Sequence, residues 1–180
     1  MATTRHIALL RGINVGGNNI IKMADLRASF AAMGFTDVAT LIQSGNVAFS
    51  AAASAKARLV KIIEETLSER FGYRSRIVLI SARELEQVIA QAPAGFGRQP
   101  ERYRYDVLFV KAPLTSAEAL RQVPTRAGVD DVHAGRHALY FRRLISKATQ
   151  SHLPRLIQLP LYQSVTIRNW NTTTTLARMF

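Results

Sequence analysis

Residues 37–50 have the sequence DVATLIQSGNVAFS, which carries the strongest local signal in the first half of the chain. Two runs rich in apolar and β-branched residues, 37–42 and 46–50, flank Gln43-Ser44-Gly45, which places a glycine at the tight position of a turn. The stretch therefore predicts a β-hairpin.

The residues on either side of the hairpin each predict one helix and one strand. A strand over residues 5–11 and a helix over 23–33 precede it, and the apolar residues of that helix recur every three or four positions. A helix that Ser54 caps and Gly72 ends follows it, and then a strand over 76–80. The order strand-helix-strand-strand-helix-strand is that of a ferredoxin-like unit.

The second half shows the same order of elements without obvious sequence identity to the first. Its predicted elements are a strand over 105–110, a helix over 116–123, strands near 129–134 and 138–142, a helical region over 147–159, a strand over 164–167 and a helix from about Asn171. We therefore predict an α+β protein of two tandem ferredoxin-like (βαββαβ) subdomains with antiparallel sheets. Their expected bounds are 1–80 and 101–180, with a connecting helix and linker over 81–100.

The composition excludes several classes of function. The 180 residues include no cysteine, which rules out disulfides, thiolate catalysis and cysteine metal sites. The apolar run near the start, residues 7–10, is far too short for a signal peptide or a membrane span. We expect a cytoplasmic protein with no membrane partner.

The charge is strongly positive and unevenly distributed. The formal net charge is +12, and residues 132–180 carry seven Lys or Arg with no Asp or Glu. A field of this sign concentrates anions such as phosphates and nucleic acids. The alternative is compositional, because 19 Arg against 5 Lys and abundant Ala are typical of a GC-rich genome.

The loop Arg11-Gly12-Ile13-Asn14-Val15-Gly16-Gly17-Asn18-Asn19 follows the first predicted strand. Consecutive backbone N–H groups in a Gly-rich turn can surround an anion. Gly12 and Gly17 have the spacing of a P-loop, but Asn18 and Asn19 stand where Lys and Ser or Thr would be needed. The loop therefore either binds an anion or small polar ligand, or is a wide connection in which Gly16 to Asn19 adopt positive φ and the Asn side chains cap the coming helix.

The hairpin tip provides the hydrogen-bonding groups of Gln43, Ser44 and Asn46. Ser44 has no histidine close in sequence that could activate it as a nucleophile. In a split βαβ unit we expect the loop after the first strand and this turn to project from opposite ends, so their joint use would need longer connections or a second subunit.

Near the C-terminus, Arg168-Asn169-Trp170-Asn171-Thr172 combines a guanidinium, two amides and the only tryptophan. In the structural interpretation Asn169 or Asn171 caps the last helix and Trp170 anchors it in the domain. In the functional interpretation Arg168 binds a phosphate or carboxylate and Trp170 stacks on a base.

Candidate groups for acid–base or metal chemistry are few. No pair of titratable residues has visibly opposed environments. Asp106, in a predicted strand, is expected to point away from the apolar set and to be exposed or paired with an arginine, and His137 with Tyr140 resembles a solvated hairpin. The third strand of each half lacks the aromatic residues of an RNA-binding RRM platform. We predict no catalytic residues, no metal site and no cofactor.

These motifs closely resemble those of the domain of unknown function 1697 family, mostly bacterial proteins. The resemblance spans nearly the whole chain and lies in the segments 10–17, 22–27, 42–47 and 168–172. The chain departs from the family pattern at Ile167, where Thr is usual, and at Arg142-Arg143-Leu144, where a Gly-containing turn is usual. The resemblance implies tandem ferredoxin-like subdomains and no established activity.

The leading hypothesis from the sequence is a non-enzymatic module that binds an anionic partner, either nucleic acid or a phosphorylated small molecule. The alternatives are an enzyme that acts on a small polar substrate, with Arg11, Asn14, Ser44 and Asn46 orienting it, and a protein that only self-associates, for example as a homodimer. The predicted ligand-binding residues are Arg11, Asn14, Gly16, Gly17, Asn18, Gln43, Ser44, Asn46, Arg168, Asn169, Trp170 and Asn171.

Overall fold

A computed structural model describes residues 3–179 of the chain. Within these residues the chain divides into two compact units, 3–83 together with Met179, and Glu84–Arg178. Each unit is a four-stranded antiparallel sheet with helical segments, so the protein belongs to the α+β class.

The first unit contains four strands and two α-helices. In chain order they are β1 Thr3–Leu10, α1 Met23–Ala32, β2 Thr36–Leu41, β3 Asn46–Ala52, α2 Lys56–Phe71 and β4 Ile77–Ser81. The sheet order is β2-β3-β1-β4, so β1 and β3 occupy the centre. The predicted hairpin is present as β2 and β3, with a register irregularity between Thr36 and Ala39.

The core of the first unit lies between one face of the sheet and the two helices. Ala8 and Leu10 of β1 belong to this core together with Phe30 of α1 and Ile63 of α2. Ile7, which points to the opposite face of the sheet, is also inaccessible to solvent. Burial on both faces explains why the second half of β1, residues 7–10, is continuously apolar rather than alternating.

The second unit contains all but the first two residues of α3 and a sheet of the same strand order. Its elements are α3 Ala82–Ala90, β5 Tyr103–Val110, α4 Ser116–Leu120, β6 Asp130–Ala134, β7 Ala138–Leu144, β8 Val165–Asn169 and α5 Trp170–Ala177. The sheet order is β6-β7-β5-β8. The core on one face of this sheet includes Leu108, Leu139 and Leu156.

The connection between β7 and β8 contains the helical region expected over 147–159, and this region is made of 3-10 rather than α-helix. It consists of three 3-10 helices, Ile145–Gln150, Leu153–Gln158 and Pro160–Ser164. Pro154 and Pro160 lie in the first turns of the second and third of these. Proline lacks the N–H that a continuous α-helix needs, and so the segment forms short helical pieces.

The start of α2 corrects one expectation. Ser54 does not cap this helix, because the N-cap residue is Ala55 and no side chain bonds to the first turn. The C-terminal end is as expected, with Gly72 in the left-handed conformation (φ +64°) and its N–H bonded to the Ser68 carbonyl.

Residues 92–100, expected to be a linker, contain a side chain that packs in the second unit. Phe96 is 9% exposed, and its ring lies edge-on to those of Tyr105, Tyr140 and Trp170 at centroid distances of 4.8, 5.5 and 5.1 Å. None of the helices within residues 3–179 is both long and apolar enough to span a bilayer.

Candidate functional site

The loop between β1 and α1 is fixed at both ends by buried isoleucines. Ile13 is 1% exposed and Ile21 is 5% exposed, and both belong to the core of the first unit. Between them the chain leaves the core, and residues 15–20 are exposed. The loop is therefore anchored at both ends rather than loosely attached.

The tip of this loop is a tight turn. The Asn18 N–H donates to the Val15 carbonyl at 3.1 Å, and Gly16 and Gly17 have φ of +59° and +77°. Positive φ at both central residues is the signature of a type I′ turn, which glycine adopts without steric cost. The positive φ expected at Gly16, Gly17 and Asn19 is present, with a φ of +47° at Asn19, whereas Asn18 does not have the positive φ that was also expected of it.

The asparagine side chains of the loop do not cap the following helix, contrary to one expectation. The N-cap position of α1 is Lys22, and no side chain caps it. Asn19 instead donates through Nδ2 to the Gly12 carbonyl at 2.7 Å. It therefore stabilises the loop itself.

Asn14 links the loop to the tip of the β2–β3 hairpin. Its Oδ1 accepts a hydrogen bond from the Ile21 N–H at 2.8 Å, and its Nδ2 donates to the Ile21 carbonyl at 3.0 Å. The same Nδ2 donates to the carbonyl of Gln43 at 2.8 Å. One side chain thus closes the loop and holds it against the hairpin.

This contact shows that the expectation of opposite ends was wrong. β1 runs antiparallel to β3 with Leu9 opposite Asn46, so the end of β1 and the start of β3 lie at the same end of the sheet. The Leu10 N–H also donates to the Gly45 carbonyl at 2.8 Å. Two of the three sequence motifs therefore form one group, which we call the loop cluster: residues 11–22 and 42–46.

Side chains of the hairpin tip have different degrees of access to solvent. Asn46 is fully buried, and its Nδ2 donates to the Leu41 carbonyl at 2.9 Å and to Ser44 Oγ at 3.2 Å. Ser44 is half-buried and Gln43 is exposed. Asn46 thus shapes the turn, while Gln43 and Ser44 are the accessible polar groups.

Ile42 has an unfavourable backbone conformation within the loop cluster. Its φ is +49°, which is a genuine outlier for a β-branched residue, and its side chain is 54% exposed. Of the four non-glycine residues with positive φ within residues 3–179, Asn14, Asn19 and Ile42 lie in the loop cluster. Such strain concentrates at binding and catalytic sites.

Cationic groups accompany the loop cluster. Arg11 is half-buried and Lys22 is exposed, and the Arg11 N–H donates to the carbonyl of Arg76 at 3.1 Å. The Arg76 guanidinium lies 3.4 Å from the carboxylate of Glu64, which also accepts the Ile77 N–H at 2.8 Å. Glu64 is thus held by the fold at this end of the sheet.

The third motif belongs to the second unit and has structural roles. Asn169 caps α5, with its Oδ1 accepting the Thr172 N–H at 2.7 Å. Trp170 packs on Phe96, and a Cβ added to Gly97 would lie 2.3 Å from its indole nitrogen. Asn171 is exposed.

Arg168 is 9% exposed, and burial lowers the pKa of its guanidinium to about 10. It remains charged at neutral pH, and its Nη1 donates to the Ile167 carbonyl at 2.9 Å. An external phosphate would reach this guanidinium only after movement of the surrounding residues.

Part of the positive charge of residues 132–180 is already compensated within the second unit. Arg142 lies 2.6 Å from Asp131 and Arg143 lies 3.6 Å from Asp106. The remaining exposed cations are Arg136, Lys147, Arg155 and Arg178. The acids that compensate this segment precede it in sequence, which the sequence pattern alone did not show.

The sequence analysis made predictions for three side chains of the second unit: Asp106, Tyr140 and His137. The Asp106 side chain is 14% exposed and forms the expected ion pair with an arginine, while burial raises the pKa of its carboxyl group. Tyr140 is 1% exposed rather than solvated, and its hydroxyl donates to the Val88 carbonyl at 2.6 Å. His137 Nε2 lies 2.9 Å from Gln87 Oε1. Within residues 3–179, no three His, Asp or Glu side chains are grouped as metal ligands would be.

Sequence reasoning did not identify the anchoring roles of Ile13 and Ile21 or the strain at Ile42. The apolar anchors carry a visible signal, because each isoleucine borders a polar Gly/Asn stretch. The conformation of Ile42 carries none, since the sequence pattern placed it at the end of a strand.

The fold defines a small α+β protein with two antiparallel four-stranded sheets and a strained polar loop cluster in its first unit. The family described as protein of unknown function (DUF1697) matches residues 3–140, and the chain belongs to this family.

One solved structure, that of the conserved bacterial protein SP0830 from Streptococcus pneumoniae, is similar to this chain over 99% of each, with 28% sequence identity and a TM-score of 0.86. No curated protein gives a significant match.

Proposed function

We propose that this protein is a non-enzymatic binding module that holds a small phosphorylated or carboxylated ligand at the loop cluster of its first unit. The observation that carries the proposal is the hydrogen bond from Asn14 Nδ2 to the Gln43 carbonyl at 2.8 Å. It holds the glycine turn and the hairpin tip together, so that polar groups from two separate motifs are available at one end of one sheet.

The glycine turn supplies backbone donors for an anion. The N–H groups of Gly16 and Gly17 make no hydrogen bond within residues 3–179, and both residues are exposed. Adjacent backbone N–H groups in a Gly-rich turn are a common means of binding phosphate and carboxylate oxygens. Glycine also lets a ligand approach the backbone closely.

The charge near the turn favours an anion over a cation. Arg11 and Lys22 are the only ionisable residues of the loop cluster, and both are cationic. The nearby Glu64 carboxylate is occupied by Arg76 and the Ile77 N–H. Amides, one hydroxyl and two cations provide binding groups but no group that exchanges protons near pH 7, and so the proposal assigns binding rather than catalysis.

A second candidate is polyanion binding by the second unit. Arg136, Lys147, Arg155 and Arg178 are exposed, and nucleic acid is attracted to such a charge. The sheet face that an RRM uses gives no support, because Val107 and Tyr140 there are buried. This candidate therefore depends on charge alone.

An enzyme acting on a small polar substrate is a third candidate. Arg11 and Ser44 belong to segments at the same end of the first sheet, as this hypothesis requires. On the basis of the sequence, the proposal also includes a cytoplasmic location and self-association as a homodimer.

Our proposal also assigns each unit to the ferredoxin-like topology. The order β2-β3-β1-β4 with α1 and α2 in the two crossovers supports it for the first unit, and the order β6-β7-β5-β8 supports it for the second. In the second unit, 3-10 helices replace the α-helix of the second crossover.

The test is a titration of the 15N-labelled full chain with pyrophosphate at constant ionic strength, following the amide signals of Gly16 and Gly17. We expect saturable shifts at these two amides and a several-fold weaker affinity in Lys22→Gln, since each charge-assisted contact contributes strongly to anion binding. The matched control is Lys147→Gln, which removes an exposed lysine of the second unit.

A parallel titration with oligonucleotides tests the polyanion candidate. Amide shifts at Arg136 and Lys147 that increase with oligonucleotide length would support it. If no amide of the loop cluster responds to pyrophosphate or to a panel of sugar phosphates, the proposed function is wrong.

A further inference from the structure

The second unit contains a pocket that is separate in sequence from the loop cluster. Its volume is about 200 Å³, and its walls include Tyr103, Gly128, Val129, Asp131, Arg142 and Leu144. We propose that this pocket binds a zwitterionic ligand of amino-acid size, with the ligand's carboxylate on Arg142 and its ammonium group on Asp131.

The Arg142 guanidinium is fixed in orientation before any ligand binds. Its Nε and Nη2 donate to the same oxygen, Asp131 Oδ2, at 3.0 and 2.6 Å. Its central carbon lies 4.8 Å from the centroid of the Tyr103 ring. A second guanidinium, that of Arg102, lies 5.2 Å from the same ring. Cation–π contacts of this kind restrict the guanidinium plane.

The pair nevertheless leaves one donor group and one acceptor unused. Arg142 Nη1 and Asp131 Oδ1 make no hydrogen bond within the described part of the chain. The two side chains are 38% and 47% exposed, so both groups are accessible. A guanidinium edge beside a carboxylate oxygen complements a ligand that carries a carboxylate and an ammonium group.

The charge balance of the pocket favours a zwitterion over a simple anion. Asp131 neutralises Arg142 directly. Asp130, which also borders the pocket, accepts the N–H groups of Arg126 and His152 through Oδ2 at 2.9 and 2.8 Å. An added anion alone would face the carboxylates of both aspartates, whereas a zwitterion presents its ammonium group to Asp131.

The size of the pocket and the residues that line it limit further which ligands would fit. Pockets for drug-sized ligands measure roughly 300–1,000 Å³, so this one suits a smaller molecule. Val129, Leu144 and the Tyr103 ring provide apolar surface beside the charged pair. We therefore expect an amino acid with an apolar side chain.

The test follows the Gly128 and Val129 amide signals of the 15N-labelled full chain during titration with L-leucine. Two analogues each lack one charge: 4-methylpentanoate has no ammonium group and 3-methylbutylamine has no carboxylate. We expect L-leucine to bind at least about tenfold more tightly than either analogue, because each lost charged contact leaves a charged partner without its ligand.

Two pairs of variants complete the experiment. Asp131→Asn and Arg142→Gln should weaken L-leucine binding by about tenfold or more, since each removes one charged partner. Glu86→Gln and Arg155→Gln make the same chemical changes at exposed positions and should leave the affinity unchanged.

Several outcomes would overturn the proposal. They are the absence of any shift with L-leucine, equal binding of L-leucine and 4-methylpentanoate, and full affinity in Asp131→Asn. If Asp131→Asn or Arg142→Gln fails to fold, the relative affinities of the unaltered chain for the three ligands still test the proposal. Because pyrophosphate binding is followed at Gly16 and Gly17, this pocket and the loop cluster succeed or fail independently.

Discussion

Gly45 occupies a position that no other residue fits without strain. Its φ is +81°, and an added Cβ would lie 2.8 Å from both Leu10 Cβ and Ile13 Cδ1. Contacts under 3.0 Å with packed atoms require something to shift. The turn glycine thus contributes both a backbone conformation and the close approach of the β1–α1 loop to the hairpin.

We predict that Gly45→Ala lowers the free energy of unfolding by roughly 2–4 kcal/mol, because it combines backbone strain with overpacking. Gly34→Ala is the matched control, since Gly34 has a φ of +84° but no atom within 4 Å of an added Cβ. It should cost only about 1 kcal/mol, from strain alone. Urea denaturation measures both, and equal losses would contradict the role of close packing at Gly45.

The buried hydroxyl of Tyr140 predicts a pH dependence. Burial raises the pKa of Tyr140 to about 12, above the value of about 10 for an unfolded chain. The folded state therefore keeps this proton while the unfolded state loses it, and stability falls as pH rises from about 10 toward 12. Below pH 10 Tyr140 contributes no pH dependence.

We predict that the unaltered chain loses up to roughly 2–3 kcal/mol more stability than Tyr140→Phe between pH 9 and pH 12, as estimated from the shift. At pH 7 the variant should be less stable by about 1 kcal/mol, because the Val88 carbonyl loses its donor. Urea denaturation at a series of pH values gives both quantities. If the free energy of unfolding falls equally with pH in both proteins, Tyr140 does not cause the loss of stability above pH 10.

At the scale of elements, the β1–α1 loop depends on one amide side chain. Asn14 makes three hydrogen bonds, to both backbone groups of Ile21 and to the Gln43 carbonyl. Asn18, three positions from the buried Ile21, contributes its backbone N–H to the turn. The two residues are of the same type, but Asn14 acts through its side chain and Asn18 through its backbone.

We predict that Asn14→Ala lowers the free energy of unfolding by about 1.5–4 kcal/mol, since each of its three hydrogen bonds contributes about 0.5–1.5 kcal/mol. The same variant should speed amide exchange at Ile21 and abolish the pyrophosphate shifts of Gly16 and Gly17. Asn18→Ala, which keeps the turn hydrogen bond, should change stability by less than about 0.5 kcal/mol. If both variants behave alike, Asn14 does not hold the loop cluster together.

At the scale of the whole molecule, the boundary between the two units differs from the linker that we expected from the sequence. We expected a connecting helix and linker over 81–100, and this division remains a proposal. The clustering of contacts divides the chain after Arg83, and Phe96 packs against Tyr105, Tyr140 and Trp170. These contacts predict that residues 91–100 resist proteolysis.

We predict that trypsin does not cleave early at the exposed Arg98, because Phe96 and Gly97 hold this segment against the second unit. Phe96→Ala should make Arg98 an early site of cleavage. Phe35→Ala, a comparable truncation in the core of the first unit, should not. Mass spectrometry of the first fragments distinguishes the cases, and early cleavage at Arg98 in the unaltered chain would favour a flexible linker.

Much of the element order followed from the sequence because local signals determine it. The apolar runs and the glycine of residues 36–52 predict the hairpin, the apolar run of residues 7–10 marks β1, and the helical periodicity of the apolar residues predicts α1 and α2. The local signals were weaker where polar side chains compete or proline intervenes. Ser54 did not cap α2, and prolines divided the helical region after β7 into 3-10 pieces.

Local sequence patterns predicted the strands and the main helices, offered the positive φ of Gly16 and Gly17 as one interpretation, and identified the family to which the chain belongs. These depend on residues close together in the chain. Only the folded chain shows that the Gly/Asn loop adjoins the hairpin tip, that Arg168 is buried, and that Arg142 and Asp131 line one pocket. Each of these depends on which strands pair and which faces are covered, and antiparallel pairing brings together residues that are far apart in the sequence.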